Sequence, residues 1–148
     1  MSIIKTGNAT YQPLGIKGKG SVSTESGALV NYPYGFNTRF ENSGQKGSNP
    51  EELIAAAHSS CFTMALSIAL EKAGFSEGKL LTQAAVYLDK VDGGYSISKS
   101  ALILQADVKG MEKSEFIKIA EDAKENCPVS KLLNAEITLT VNFAGDCL

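Results

Sequence analysis

Two cysteines stand in different surroundings, and the difference is chemical. Cys61 lies inside Asn49-Pro50-Glu51-Glu52-Leu53-Ile54-Ala55-Ala56-Ala57-His58-Ser59-Ser60-Cys61-Phe62-Thr63-Met64, in the middle of a long apolar helical stretch. Cys127 lies in Asn126-Cys127-Pro128-Val129-Ser130-Lys131, where a second helical stretch ends and a proline follows. The first thiol is expected to be dry and fixed by its helix, the second to have more freedom. One anchored and one movable thiol suit a reaction in which the first attacks and the second resolves.

Each residue also has a bland reading. Free cysteine is among the most buried residue types, so Cys61 alone would read as core. A mid-helix thiol gains nothing from the helix N-terminus, and burial raises its pKa, so reactivity requires a nearby cation. Lys72 reads as solvated and distant. Arg39 is the better candidate; it is expected on a strand, with Phe36 and Phe40 nearby in an otherwise uncharged run. By itself it would read as a surface arginine.

Glu51 and Glu52 suit the first turn of a helix, where carboxylates complement the dipole, or one of them holds Arg39 in place. Glu51 is roughly 15 Å along the helix axis from Cys61, so it cannot reach the thiol of its own chain along the helix. Two such helices packed antiparallel would bring Glu51 of one chain toward Cys61 of the other. A shared site is expected, with at least the carboxylate supplied across an interface.

His58 precedes Cys61 by one turn on the same face. A Cys–His nucleophile pair and a zinc site therefore enter the comparison. Zinc takes four ligands at short spacings, whereas Cys61, Cys127, Cys147 and His58 show no CxxC and no HxxxH. A hydrolase needs a group orienting the histidine and an oxyanion hole, and neither is marked. His58 is read as packing at the helix surface or an interface. Pro128, opening a short helix, leaves Cys127 near an N-cap, where backbone N–H groups favour a thiolate modestly. Two cysteines bridge only when their Cα atoms approach within ~7 Å. Cys147 is the second-last residue and reads as incidental.

The elements that must position these groups are legible. Lys19–Thr24 and residues 34–41 read as short strands. Asn49 is a good N-cap, Pro50 suits the first helical position, and Gly74 is a C-cap. From Leu53 to Leu70 nearly every side chain is small or apolar around the whole axis, so the helix reads as buried on all sides. One small sheet cannot cover it, which points to a dimer of mutually covered helices. Residues 84–89 alternate as a strand, Asp92-Gly93-Gly94 marks a hairpin, and Tyr95–Val108 reads as the return strand. A helix from about Glu112 puts Phe116, Ile119, Ala120 and Ala123 on one face, which continues to Cys127 and points that thiol at the core, not at water. Ile137, Leu139, Val141 and Phe143 alternate as a half-buried strand. The order fits an α+β domain with helices packed on curved antiparallel sheet.

Length and composition set the frame. At 148 residues with 43% apolar side chains, the chain reads as one domain, 1–148, able to bury a core. A net charge of −2 with interspersed signs leaves no basic footprint for nucleic acid. The first residues hold no apolar run of signal-peptide length, and no stretch is read as approaching the ~20 apolar residues of a membrane span, so a cytoplasmic protein is expected. Three cysteines make a complete disulfide framework improbable.

The segments Tyr34-Gly35-Phe36-Asn37-Thr38-Arg39-Phe40-Glu41, Asn49-Pro50-Glu51-Glu52-Leu53-Ile54, Ala57-His58-Ser59-Ser60-Cys61-Phe62, and Cys127-Pro128-Val129-Ser130 followed by Leu133-Asn134-Ala135-Glu136-Ile137-Thr138-Leu139 together resemble the OsmC/Ohr family of thiol-dependent peroxidases, the OsmC branch in particular. The resemblance runs from about Thr6 to Phe143; Cys147 is not part of the pattern. It implies an intertwined homodimer with antiparallel sheets wrapped around two long central helices, and shared sites at the dimer interface. It implies that Cys61 is the peroxidatic nucleophile, Cys127 the resolving cysteine, and Arg39 with Glu51 the polar pair that activates the thiolate. Of the two glutamates it selects Glu51, since the family's acid directly follows the proline. The implied cycle reduces organic hydroperoxides, and hydrogen peroxide more weakly, through a Cys61 sulfenic acid and a Cys61–Cys127 disulfide, in defence against oxidative or osmotic stress. An external dithiol, of dihydrolipoyl type in the Ohr branch, restores the thiols. No cofactor and no metal are expected. Met64, Phe62 and the aromatics beside Arg39 are read as an apolar entrance. Two other readings remain at this point: a non-catalytic binding dimer whose core contains cysteines, and a Cys–His acyl-transfer enzyme using His58.

Overall fold

The computed structural model describes residues 1–41 and 44–144, so Cys147 lies outside the described residues. The chain divides into two compact units, Met1–Leu53 and Ile54–Leu148.

The first unit carries an antiparallel sheet of β1 (Gly7–Gln12), β2 (Lys19–Thr24) and β3 (Tyr32–Gly35), in that order. Gly20 pairs with Tyr34, and a Cβ at position 20 would lie 2.4 Å from the tyrosine ring. The ring crosses the neighbouring strand only because that position has no side chain. The chain then turns into a short helix, α1 (Phe36–Phe40), where the sequence predicts strand. Local hydrogen bonds decide the difference. Thr38 Oγ1 accepts the Gly35 N–H at 2.9 Å and donates to the Ser48 carbonyl at 2.8 Å. Phe36 and Phe40, four apart, stack with centroids 4.9 Å apart, a contact that a helix permits and a strand does not. Arg39 is therefore a helical residue. Among the described residues of this unit the buried ones are Gly18, Gly35, Ser48 and Glu51. No large apolar side chain is among them.

The long helix α2 (Pro50–Lys72) starts and stops as its caps dictate. Asn49 Oδ1 accepts the Glu52 N–H at 2.8 Å. Gly74 adopts φ +95°, and the Gly74 and Phe75 N–H groups return to the Glu71 and Leu70 carbonyls, both at 2.9 Å. Burial on all sides is not what one chain achieves. His58, Phe62, Leu66 and Leu70, four residues apart, form the buried stripe, while Met64 is 63% and Ile68 47% exposed. Phe62 is thus a core residue and lines no entrance. The helix is also long and apolar enough, by length and composition, to cross a membrane, with a mean hydropathy of 1.7 over its most apolar window. This differs from the expectation that no stretch approaches that length, because isolated polar residues barely lower an average over so many Ala, Leu and Ile side chains. The stripe from Phe62 to Leu70 packs into the protein core.

In the second unit, β4 (Gly78–Val91) and β5 (Gly94–Val108) form the expected antiparallel hairpin, with Gly93 at φ +86°. After it come α3 (Lys113–Asn126), α4 (Pro128–Leu132) and β6 (Glu136–Phe143). The sheet is mixed. β6 runs parallel to β5, from Lys99 opposite Glu136 to Ala106 opposite Phe143, whereas antiparallel pairing was expected. The reason is the connection: α3 and α4 form a crossover that returns the chain to the end where β5 began. On β5, Ser100, Leu102, Leu104, Ala106 and Val108 alternate inward. Phe62, Leu66, Leu102, Leu104 and Phe116 are fully buried, each stabilising the unit by about 1.5–3 kcal/mol of apolar burial. On α3, Phe116, Ala120 and Ala123 are the buried face, and it does lead to Cys127.

Candidate active site

In the first unit, the caps that shape α1 and the start of α2 bring Arg39 to Glu51. Arg39 donates from Nε to both carboxylate oxygens at 3.1 and 3.2 Å, and from Nη2 to Oε1 at 2.6 Å. Such a two-edged pairing fixes the guanidinium plane as well as its position. The Glu51 side chain is nearly buried and the Arg39 side chain 36% exposed. The Phe40 ring lies 5.1 Å from the Arg39 Cζ, close enough for cation–π attraction. Asn49 reinforces the corner by donating to the Thr38 carbonyl at 3.2 Å. Glu52 is occupied elsewhere, accepting the Ser48 hydroxyl at 3.1 Å.

In the second unit, Cys61 and Cys127 are both free thiols and lie within hydrogen-bonding reach of each other. The burial of Cys127 is what the inward face of α3 implies, whereas Cys61, expected to be the dry thiol, is the less buried of the two. Cys127 is fully buried and Cys61 partly exposed. Cys127 closes α3, its N–H reaching the Ala123 carbonyl at 2.9 Å, and opens α4, its carbonyl accepting the Lys131 N–H at 3.1 Å. A residue shared by two helix ends, on the inward face, is held rather than free. Cys61 is on α2 one turn beyond His58 and beside the buried stripe, so it meets the core edge rather than its centre.

The Cys61 thiol is pushed above its ordinary pKa, first by burial and then by its contact with Cys127. One interaction opposes this: the backbone N–H of Val129, at the start of α4, donates to the Cys61 sulfur. The sequence reading assigned the benefit of that helix start to Cys127. It goes instead to Cys61, because the amide belongs to the neighbouring element.

His58 is not at a surface. It is fully buried, with Nδ1 2.6 Å from Ser100 Oγ and Nε2 2.8 Å from Ser130 Oγ. Burial lowers its pKa from 6.5, so the ring is neutral, one nitrogen donating and the other accepting. Both nitrogens are engaged by serines. A signal for this was available: a single histidine in an apolar helix requires two polar partners if it is buried. His58→Ala leaves a cavity and strips the buried Ser100 hydroxyl of its partner, and should cost about 2–4 kcal/mol in denaturant melts. The sign of the pH effect follows from the lowered pKa. The neutral ring contributes its full stability above pH 6.5, the unfolded value, and loses it as pH falls through the depressed folded value. The midpoint of denaturant unfolding should therefore fall more steeply on acidification in the unsubstituted protein than in His58→Gln.

A family model described as OsmC-like protein matches residues 43–142. The chain belongs to the OsmC family. Over 139 residues it is 55% identical to the peroxiredoxin OsmC of Escherichia coli (strain K12), spanning 94% of this chain and 96% of that relative. It is 29% identical over 102 residues to an organic hydroperoxide resistance protein of Xanthomonas axonopodis pv. citri (strain 306), spanning 68% of this chain and 70% of that one. Among solved structures, the organic hydroperoxide resistance protein OhrB of Bacillus subtilis matches with a TM-score of 0.69 at 26% identity, covering 93% of this chain and 98% of that chain. An OsmC-like protein of Vibrio cholerae matches with a TM-score of 0.76 at 17% identity, covering 95% of this chain and all of that one, and so attests the α+β OsmC fold.

Proposed function

We propose that this chain is a cysteine-based peroxidase that reduces organic hydroperoxides, and hydrogen peroxide more weakly, in stress defence. The family relatives named for peroxiredoxin activity and hydroperoxide resistance support the reaction class. The observation that carries the mechanism is the sulfur pair, Cys61 with Cys127 in hydrogen-bonding reach and the Val129 amide on the attacking sulfur. Cys61 as thiolate attacks one peroxide oxygen. The O–O bond breaks, the alkoxide leaves with a proton as alcohol, and Cys61 is oxidised to sulfenic acid. The Cys127 sulfur then attacks the Cys61 sulfur. An S–S bond forms, the S–O bond breaks, and water departs. An external dithiol reduces the disulfide by exchange and is itself oxidised. Arg39, oriented by Glu51, supplies the positive charge that the attacking thiolate requires.

The working form we infer is a homodimer with shared sites, in which the whole 1–148 chain acts as one OsmC-like domain. Two observations support it. The first unit buries no large apolar side chain, which is too little for a three-stranded sheet to stand on. The outward side of α2 presents a groove lined by Ser60, Met64, Ser67, Ile68 and Thr82, an apolar surface that a second copy would cover. Met64, one turn from Cys61 on α2, gives that side the apolar character that organic hydroperoxides prefer. Cytoplasmic residence, where dithiols are available, completes the reading.

The test is a mass measurement before and after one equivalent of cumyl hydroperoxide, with disulfide mapping. The expected result is loss of both the Cys61 and Cys127 thiols and a linked Cys61–Cys127 peptide. Unchanged thiols would instead favour a binding module.

A further inference from the structure

Cys127 is buried at the junction of two helices, yet in reach of Cys61, so something must set α4 against α2. Among the described residues, one hydrogen bond between side chains other than the thiols spans these two helices. His58 on α2 is bonded to Ser130 on α4, and behind it to Ser100 on β5. The spacing is matched. His58 and Cys61 are three residues apart on α2; Cys127 and Ser130 are three residues apart across the start of α4. On each helix that spacing puts the two side chains on one face, a turn apart. The two faces thus meet at two rungs, His58 with Ser130 and Cys61 with Cys127, and the Val129 amide lies between the residues of the second pair of positions. Ser100 is fully buried on the central strand, so the bridge is anchored to the rigid sheet rather than to solvent.

We propose that the Ser100–His58–Ser130 bridge is the pin that holds α4 in register with α2, making His58 and Ser130 positioning residues for formation of the Cys61–Cys127 bond. The proposal rests on the peroxidase reading for its biological use, but not for its geometry. A disulfide tolerates little error in the approach of its two Cβ atoms. A displacement of α4 by about 1 Å is enough to slow a reaction between positioned groups by tenfold or more. Loss of the pin acts most on the resolving step, because that step needs the Cys127 sulfur at the head of α4 itself, whereas attack on peroxide draws on α4 only through the Val129 amide.

Ser130→Ala is the decisive variant, since Ser130 is only partly buried and its loss should leave the protein folded. Diamide, a disulfide-forming oxidant that removes the two thiol hydrogens, bypasses the peroxide step. Reduced protein is mixed with diamide, quenched with a maleimide and mapped by mass spectrometry. Cys61–Cys127 formation should be about tenfold slower in Ser130→Ala, and Ser130→Thr, which keeps the hydroxyl, should restore it. With cumyl hydroperoxide, Ser130→Ala should slow disulfide formation more than sulfenic acid formation, a split that general loss of stability does not produce. Equal diamide rates in the unsubstituted protein and Ser130→Ala, or equal slowing of both peroxide steps, would overturn the proposal. If the unsubstituted protein consumes no cumyl hydroperoxide, the peroxidase reading fails, and the diamide comparison still decides the pin.

Discussion

Cys127→Ser consumes about one equivalent of cumyl hydroperoxide per chain in forming the Cys61 sulfenic acid, and in excess peroxide about one more in carrying Cys61 to sulfinic acid, and then stops. The reasoning begins with exposure. Cys61 is partly exposed, so its sulfenic acid meets a second peroxide molecule unless a neighbour captures it first. Cys127 is that neighbour, buried and already in contact. Serine is nearly the same shape and cannot form the bond. Its hydroxyl costs about 1–3 kcal/mol if it finds no partner in the core, which lowers the melting temperature without emptying the site. The first turnover should not be slowed by the substitution. Contact with Cys127 is one of the influences that raise the Cys61 pKa, and removing it favours the thiolate. Mass spectrometry of the Cys61 peptide after limiting and excess peroxide reads both stages. Continued turnover at the unsubstituted rate, with Cys61 intact, would remove the resolving role.

The parts of this fold that were legible in the sequence are those set by neighbours along the chain. Asn49, Pro50 and Gly74 bound α2 because caps act within one turn. The β4–β5 hairpin follows from Asp92-Gly93-Gly94 between alternating runs, and the inward face of α3 reaches Cys127 by helical period alone. What was missed depends on distant partners. Helix α1 carries two phenylalanines and a threonine, residues that suit a strand, and becomes helical through the Ser48 carbonyl that Thr38 reaches. The parallel run of β6 depends on a crossover, not on its own residues. The partners of His58 are 42 and 72 positions away. The partial exposure of Cys61 has the same origin: a helix apolar all round does not say which side one chain covers. That Glu51 or Glu52 holds Arg39 was open from the residues, and the family pattern selected Glu51; the Val129 amide carries no sequence signal.

Arg39→Ala should lower kcat/KM for cumyl hydroperoxide by about 10²–10³, the cost of removing a preorganised charge from a reacting centre. Burial and Cys127 both hold the Cys61 proton on, and within the second unit the single Val129 N–H works against them. One amide is weak opposition, so a thiolate at neutral pH calls for a cation, and Arg39 is the one already fixed in a plane by a carboxylate. Without it, the rise of peroxide reduction with pH should move to more alkaline values, and the pH dependence of Cys61 alkylation by iodoacetamide should move with it. Arg39→Lys should recover only part of the rate, because a point charge cannot take both Glu51 oxygens. Glu51→Ala then separates two functions of the carboxylate. If Glu51 only neutralised Arg39, its removal would free the charge and accelerate the reaction. The 2.6 Å contact and the paired Nε bonds point to orientation instead, so the rate should fall. A faster Glu51→Ala, or an unshifted profile in Arg39→Ala, would mean that the guanidinium serves the fold of the first unit and not the sulfur.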